Sequence, residues 1–250
     1  MALARPETQR RRGARRTAPS RPAGASRPLH VDPGLSGGAA AISDLAALPQ
    51  SFYERPATVV ARELIGCVLA HGDCAGLIVE TEAYHQSEPA CHAYVGLTAR
   101  TSTLFGPPGL AYVYRSYGIH ALFNAVCEPE GVGAAVLVRA LQPLVGLSAM
   151  RARRRVHQEL ALCSGPGKLT QALAIELSAN RSDLRHGPLR LLQRRPSAAA
   201  LRVLAGPRIG ITKAVELPWR FALAGSPYLS RPLPTGAPGL PRAGRPAQER

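Results

Sequence analysis

The chain has 250 residues, 46% of them hydrophobic, with a net charge of +15 and a pI near 10.7. That length allows one large domain or two small ones, and the apolar content excludes a wholly disordered chain. The basic balance points to an anionic partner, nucleic acid first, although a GC-rich genome also raises arginine and alanine.

The first 30 residues hold eight arginines against a single acid, Glu7, and the stretch is rich in Pro, Ala, Gly and Ser. Such a composition cannot bury enough apolar surface to fold, so residues 1–44 are expected to be a disordered basic tail. Attachment to a phosphate backbone and simple solvation are both open readings of it. Residues 231–250 are expected to be a second disordered tail. The span 45–230 between them has no repeat and no domain-scale linker, and is itself basic. The five cysteines (Cys67, Cys74, Cys91, Cys127, Cys163) are odd in number and lack CxxC spacing. Neither a zinc ribbon nor a disulfide framework is expected, and reduced, buried thiols are the default. No apolar run reaches the length of a membrane span, and the start lacks the apolar core of a secretory signal.

Pro56 is a helix-start signal, and Ala57 to Ile65 reads as a short helix closed by Gly66. Cys67–Ala70 and Ala75–Glu80 read as two strands joined by a turn at His71-Gly72-Asp73. The second strand ends in Glu80-Thr81-Glu82-Ala83-Tyr84. Residues two apart in an extended chain share a face, so Glu80, Glu82 and Tyr84 can point the same way. Taken alone, these are solvated glutamates at a strand end. The loop His85–Gly109 is long for a compact domain and carries His92, Tyr94, Arg100 and Phe105. Leu110–Tyr114 and Ile119–Cys127 then form a hairpin whose tip holds Tyr117 and Gly118. A tyrosine there is either idly exposed or a wedge. Asn124 sits inside the second arm, where an amide is disfavoured unless bonded.

Ala134–Leu141 is a β-like run containing Arg139, and a buried arginine needs a carboxylate or a phosphate. Pro143–Val156 reads as a helix ending in the cluster Arg151, Arg153, Arg154, Arg155. Ser164-Gly165-Pro166-Gly167-Lys168 opens a helix running to about Leu177. Its free N–H groups suit either a phosphate or a plain cap. Short strands are expected at 189–192, 201–204, 208–211 and 219–223. The expected fold class is α+β: one mixed domain on a curved antiparallel sheet with a protruding β-hairpin, flanked by helices.

A basic domain with a carboxylate, several tyrosines, a strand Asn, a strand Arg and a hairpin-tip Tyr matches the needs of chemistry on a flipped base. Such a base must be extruded, its gap filled and its face stacked. Several ordered blocks carry a resemblance over Phe52 to Ser230. They are Ile-Val-Glu-Thr-Glu-Ala-Tyr (78–84), Tyr-Val-Tyr-x-x-Tyr-Gly (112–118) with Asn124, and Val-Leu-Val-Arg-Ala-Leu-x-Pro-Leu-x-Gly (136–146). Leu-Cys-Ser-Gly-Pro-Gly-Lys-Leu (162–169), Arg-Ile-Gly-Ile (208–211) and Pro-Trp-Arg-Phe (218–221) complete the set.

On these blocks the chain resembles the alkyladenine, or 3-methyladenine, DNA glycosylases of the methylpurine type. The resemblance implies a monofunctional base-excision repair hydrolase of N-glycosyl bonds. It would act on double-stranded DNA containing damaged purines such as 3-methyladenine and 7-methylguanine, with ethenoadenine and hypoxanthine as further candidates. Glu82 would activate the water and Arg139 would hold both. Tyr84, His92, Tyr114 and Asn124 would form the base pocket, with Asn124 against the exocyclic amine of normal guanine. Tyr117 would intercalate, and Arg100, Ser164, Gly165 and Lys168 would meet the DNA backbone. Electron-rich tyrosines favour a cationic base. No lysine takes the carboxylate's place, so neither a Schiff base nor strand cleavage is expected. No cofactor, metal or membrane is implied. A monomer is expected, located in the cytoplasm or nucleoid of a bacterium or in a eukaryotic nucleus. Two departures from the family pattern bear, in turn, on the placement of His92 and on substrate range. The segment between Tyr84 and His92 is one residue shorter, and Arg100-Thr101…Leu104-Phe105 replaces an Arg-Asn…Met-Phe pattern.

Overall fold

The computed structural model describes residues 42–194 and 200–233. Most of both expected tails lies outside these residues. At the margins the described chain is engaged: Ile42 is buried in the core, and the Arg231 carbonyl accepts from Arg220.

The fold is mixed α+β on a curled antiparallel sheet. Its strands are β1 (Val68–His71), β2 (Cys74–His85), β3 (Ala111–Ser116), β4 (His120–Val126), β5 (Ala134–Val145), β6 (Leu189–Leu192), β7 (Val203–Gly206) and β8 (Arg220–Leu223). They lie in the order β3-β4-β5-β2-β1-β6, with β8 bridging β2 and β7. The helices are α1 (Gln50–Tyr53), α2 (Ala57–Glu63), α3 (Leu147–Arg154) and α4 (Pro166–Leu173).

Strand β2 is the spine. One edge pairs with β5 along nearly its whole length; the other pairs first with β1 and then, from Glu80 to Glu82, with β8. It runs well past Glu80, the end expected from sequence, and is buried from Cys74 through Ala83. The two glutamates therefore lie in mid-strand, and the solvated reading is overturned, since both are 0% exposed. The register between β2 and β5 is broken around Glu80. Ile78 faces Leu141, Glu80 faces Ala140 and Thr81 faces Val138, which leaves Arg139 without a partner across the ladder. Such bulges re-aim side chains. This one directs Arg139 at both acids.

Alternation along the strands gives the sheet two different faces. Val113, Phe123, Ala125, Val136 and Val138 join the main core with α2 and α4. Tyr112, Val126 and Ala135 point the other way into a smaller cluster with Cys91, Ala93 and Leu104. The long 86–110 segment packs there through two short 3₁₀ turns, His92–Val95 and Ser102–Phe105. All five cysteines are free and buried.

Three expected elements differ. Pro143 belongs to β5, not to a helix; it faces Gly76 beside a register shift, where a missing N–H is tolerated. The following helix begins only at Leu147, after Gly146 turns the chain with φ 80°. Residues 208–211 are not a strand, because the Ile209 N–H goes to a carboxylate and Arg208 to an ion pair. Helix α4 stops at Leu173. Ala174 adopts φ 55°, and the Ile175 N–H reaches back to the Thr170 carbonyl, a Schellman ending. The arginine cluster closes the same helix: Arg153 donates to the Ala172 carbonyl at 2.8 Å.

Left-handed backbone costs an L-residue about 1–2 kcal/mol, partly offset by the extra freedom a glycine gains in the unfolded chain. Ala174→Gly should therefore stabilise the protein by about 0.5–1 kcal/mol in urea unfolding. A loss of stability would show that Ala174 is not held left-handed in solution.

Candidate active site

Glu82 is the centre of the site. Its Oε1 accepts the Ile209 N–H at 2.7 Å. Its Oε2 accepts the Tyr84 hydroxyl at 2.8 Å and an Arg139 N–H at 3.1 Å. A carboxylate offers about four acceptor positions, so one remains on Oε1. Burial pushes the Glu82 carboxyl above its ordinary value of 4.5, while Arg139, the Ile209 N–H and the Tyr84 hydroxyl pull it back. Such a group can take a proton at neutral pH more readily than a solvated carboxylate.

Glu80, two residues earlier, has a different role. Its Oε1 accepts Arg220 Nε at 2.7 Å, the Ser230 hydroxyl at 2.8 Å and Arg139 Nε at 3.3 Å; its Oε2 accepts the Ser230 N–H at 2.6 Å. All four of its hydrogen bonds go to the protein frame. It anchors the arginine that reaches Glu82 and ties β8 and the 226–231 segment to the sheet.

A cleft of about 600 Å³ opens beside this carboxylate, and Tyr84, Arg139 and Ile209, all partners of Glu82, form part of its wall. Tyr112, Tyr114 and His92 form another part. The two tyrosine rings stack at 5.4 Å, and His92 meets Tyr114 edge-on at 4.6 Å. His92 Nδ1 and the Tyr112 hydroxyl are hydrogen-bonded at 3.1 Å. Burial, with Arg100 nearby, holds His92 below its ordinary value of 6.5, so the ring is neutral at physiological pH. Burial also lifts the Tyr114 hydroxyl to about 12. Asn124 faces Tyr112 across the ladder and donates its amide to the Tyr112 carbonyl at 3.1 Å, which fixes its orientation at the cleft wall.

Tyr117 and Gly118 have φ 48° and 71°, the sign pattern of a type I′ hairpin turn. A tyrosine is costly there, yet the residue is 91% exposed at the rim of the cleft. Arg100, Gly165 and Lys168 also line the cleft. Ser164 lies just before them, and Lys168 Nζ contacts its hydroxyl at 3.4 Å. Every residue proposed from sequence thus borders this cleft or sits directly against a residue that does.

Sequence reasoning gave no role to Arg208, Glu88, Arg220 and Ser230. Arg208 makes a bidentate pair with Glu88 at 2.6 and 2.9 Å and lies 4.7 Å from the centre of the Tyr84 ring. A cation on one face of Tyr84 reduces the pull that ring can exert on a cationic base at the other, contrary to the simple expectation from an electron-rich tyrosine. The available signal was stoichiometric: two acids in an apolar strand need more than one arginine, and Arg208 and Arg220 both lie in apolar or Gly/Pro contexts. Among the described residues no three of His, Cys, Asp and Glu converge as a metal site, and no helix is long and apolar enough to cross a membrane.

Residues 51–227 match the family model described as methylpurine-DNA glycosylase. A protein of Bradyrhizobium diazoefficiens, provisionally named a 3-methyladenine DNA glycosylase, is 54% identical over 187 residues, covering 75% of this chain and 92% of its own. Relatives with the same provisional name occur in Rhodopseudomonas palustris (52% identical, covering 75% of this chain and 89% of its own) and Methanoculleus marisnigri (51%, covering 74% and 98%).

Removing the charge of Glu80 strands the buried Arg220 and leaves Arg139 paired with Glu82 alone, a loss of about 3–5 kcal/mol for a broken buried pair. Glu80→Gln should lower unfolding free energy by that order. A change within the error of a surface mutation would show that the network does not carry the frame.

Proposed function

The chain belongs to the methylpurine-DNA glycosylase family, and from that premise we propose that it excises alkylated purines from duplex DNA by direct hydrolysis. The observation that carries this reading is a buried carboxylate, Glu82, held by three donors with one acceptor position left, beneath a tyrosine-lined cleft.

A flipped base would enter between Tyr84 on one side and His92 with Tyr114 on the other, gaining about 1–3 kcal/mol from stacking. Asn124, locked by its bond to the Tyr112 carbonyl, would crowd the exocyclic amine of an undamaged guanine. Tyr117 would fill the vacated space in the duplex, which accounts for a large ring exposed on a strained turn. Arg100, Gly165 and Lys168 would meet the phosphates around the flipped nucleotide, with Ser164 steadying Lys168.

In the chemical step Glu82 takes a proton from water as the water oxygen bonds to the anomeric carbon. The bond from that carbon to the base nitrogen breaks, and its electron pair leaves with the base. For a base alkylated at N3 or N7, that pair neutralises an existing positive charge. Until Glu82 takes the proton, its negative charge near the sugar favours an oxocarbenium-like transition state. Arg139 orients the carboxylate through Oε2 and leaves Oε1 toward the reaction. No lysine amine stands in the carboxylate's place, so the product is an intact abasic strand.

The decisive measurement is release of 3-methyladenine and ethenoadenine from damaged duplex. Glu82→Gln should lower the rate by about 10²–10⁴-fold, the usual contribution of a general base. Activity of the wild type should fall as pH drops through a value above 4.5, because only ionised Glu82 accepts a proton. Equal rates in both proteins would remove Glu82 from the mechanism. Tyr117→Ser should weaken binding to a damaged duplex by about tenfold or more, given the stacking energy lost, and leave excision from an unpaired, single-stranded substrate nearly intact. Equal loss on both substrates would deny the wedge.

A further inference from the structure

Arg208 touches none of the reacting atoms assigned above, yet two of the three bonds to Glu82 come from groups that it holds. Its side chain is fully buried and Glu88 is nearly so. Beyond the bidentate pair, it donates to the Ala83 carbonyl at 3.0 Å and the Ala214 carbonyl at 3.3 Å. Its guanidinium carbon lies over two rings, 4.7 Å from the Tyr84 centroid and 5.4 Å from that of Trp219, and its Nε has no hydrogen-bond partner. An orphaned buried N–H is costly, so this placement serves something other than bonding capacity. The next residue, Ile209, points its N–H at Glu82 Oε1, and the ring pressed against the guanidinium is the one whose hydroxyl bonds Glu82 Oε2. Glu88 also accepts the Ala90 N–H at 2.8 Å, so the same pair secures the loop that leads to His92.

We propose that Arg208, clamped by Glu88, is a positioning residue that fixes the Tyr84 hydroxyl and the Ile209 N–H on the two oxygens of Glu82. A lysine cannot replace it, having neither the planar fork for Glu88 nor a flat face for two rings. The inference rests on the reading of Glu82 as the water-activating base. The groups facing Glu82 are Glu80 and Tyr84 on its own strand, Arg139 on β5, Arg220 opposite it on β8, Tyr114 on β3, and Arg208 with the Ile209 N–H from the 208–211 segment. Substitution at Arg208 or Glu88 leaves the Arg139 and Arg220 contacts in place. It loosens two donors that favour the ionised carboxylate, so the Glu82 midpoint must rise.

The test uses the full chain with glutamate labelled at the side-chain carboxyl carbon. The Glu82 resonance is identified by its loss in Glu82→Gln. Its titration is followed by NMR alongside the pH profile of kcat/KM for release of an alkylated base. Arg208→Lys should move the midpoint and the ascending limb upward together by about one unit, with activity recovering at higher pH. Glu88→Gln, which keeps the volume and one acceptor, should move both less and in the same direction. An unmoved midpoint, even with a lowered melting temperature, would reduce the pair to a structural ion pair and overturn the proposal. If Arg208→Lys does not fold, Glu88→Gln decides by the same readouts. A shifted midpoint in a protein whose wild type releases no base would sink the catalytic reading and leave the positioning role standing; Glu82-dependent release with an unshifted midpoint would do the reverse.

Discussion

Four charges buried in adjacent strands constrain everything else in this protein. Glu80 and Glu82 on β2 meet Arg139 on β5 and Arg220 on β8 at or near full burial. Taking each ion out of water costs several kcal/mol even after relaxation, and the attraction offsets this only when every remaining position is bonded. The sheet is shaped to supply most of those bonds. Its central strand changes partner from β1 to β8 where the acids begin, and the ladder to β5 slips where Arg139 must turn inward. The two acids then diverge: Glu80 spends all its bonds on the frame, and Glu82 keeps one position open.

The two faces of the sheet divide labour in the same way. One face carries the aliphatic core that holds the strands together. The other buries Tyr112 beneath the 86–110 segment, and Tyr84, Phe105 and Tyr114 pack against that smaller cluster. A cleft walled by aromatic rings on a rigid sheet is preorganised for a flat ligand, because a tyrosine has few rotors to freeze. The ring faces offered to a base are set by strand alternation, and the edge-on His92 completes them.

Local pattern made much of this legible. The hairpin around Tyr117 and Gly118 was readable because alternation on both arms and a glycine at the tip specify it. Helix α2 was readable from Pro56 and Gly66. Order in the 86–110 segment was not, since its small cluster forms only when Cys91, Ala93 and Leu104 meet strands distant in sequence. The 208–211 segment looked like a strand because Ile209 and Ile211 alternate; a single backbone bond to Glu82 and the pull of Glu88 on Arg208 outweighed that pattern. Local pattern singled out most of the proposed site residues and motif resemblance gave them their roles, and the structure draws them round one cleft. The need for further arginines was readable, but which partner meets which acid was not, because Glu80 finds Arg220 and Ser230 at separations of 140 and 150 residues. No local rule spans that distance.

The closure of Glu80 by Arg220 and Ser230 also has a temporal side. The hairpin, the tyrosine wall and the 164–168 turn all lie earlier in the chain than β8. During synthesis, the surface proposed to grip a lesion leaves the ribosome before the last donors to the carboxylate frame. A chain terminated between Lys168 and Arg220 would carry the proposed wedge and the Arg139 pairs, but would lack the Arg220 and Ser230 donors that fix Glu80.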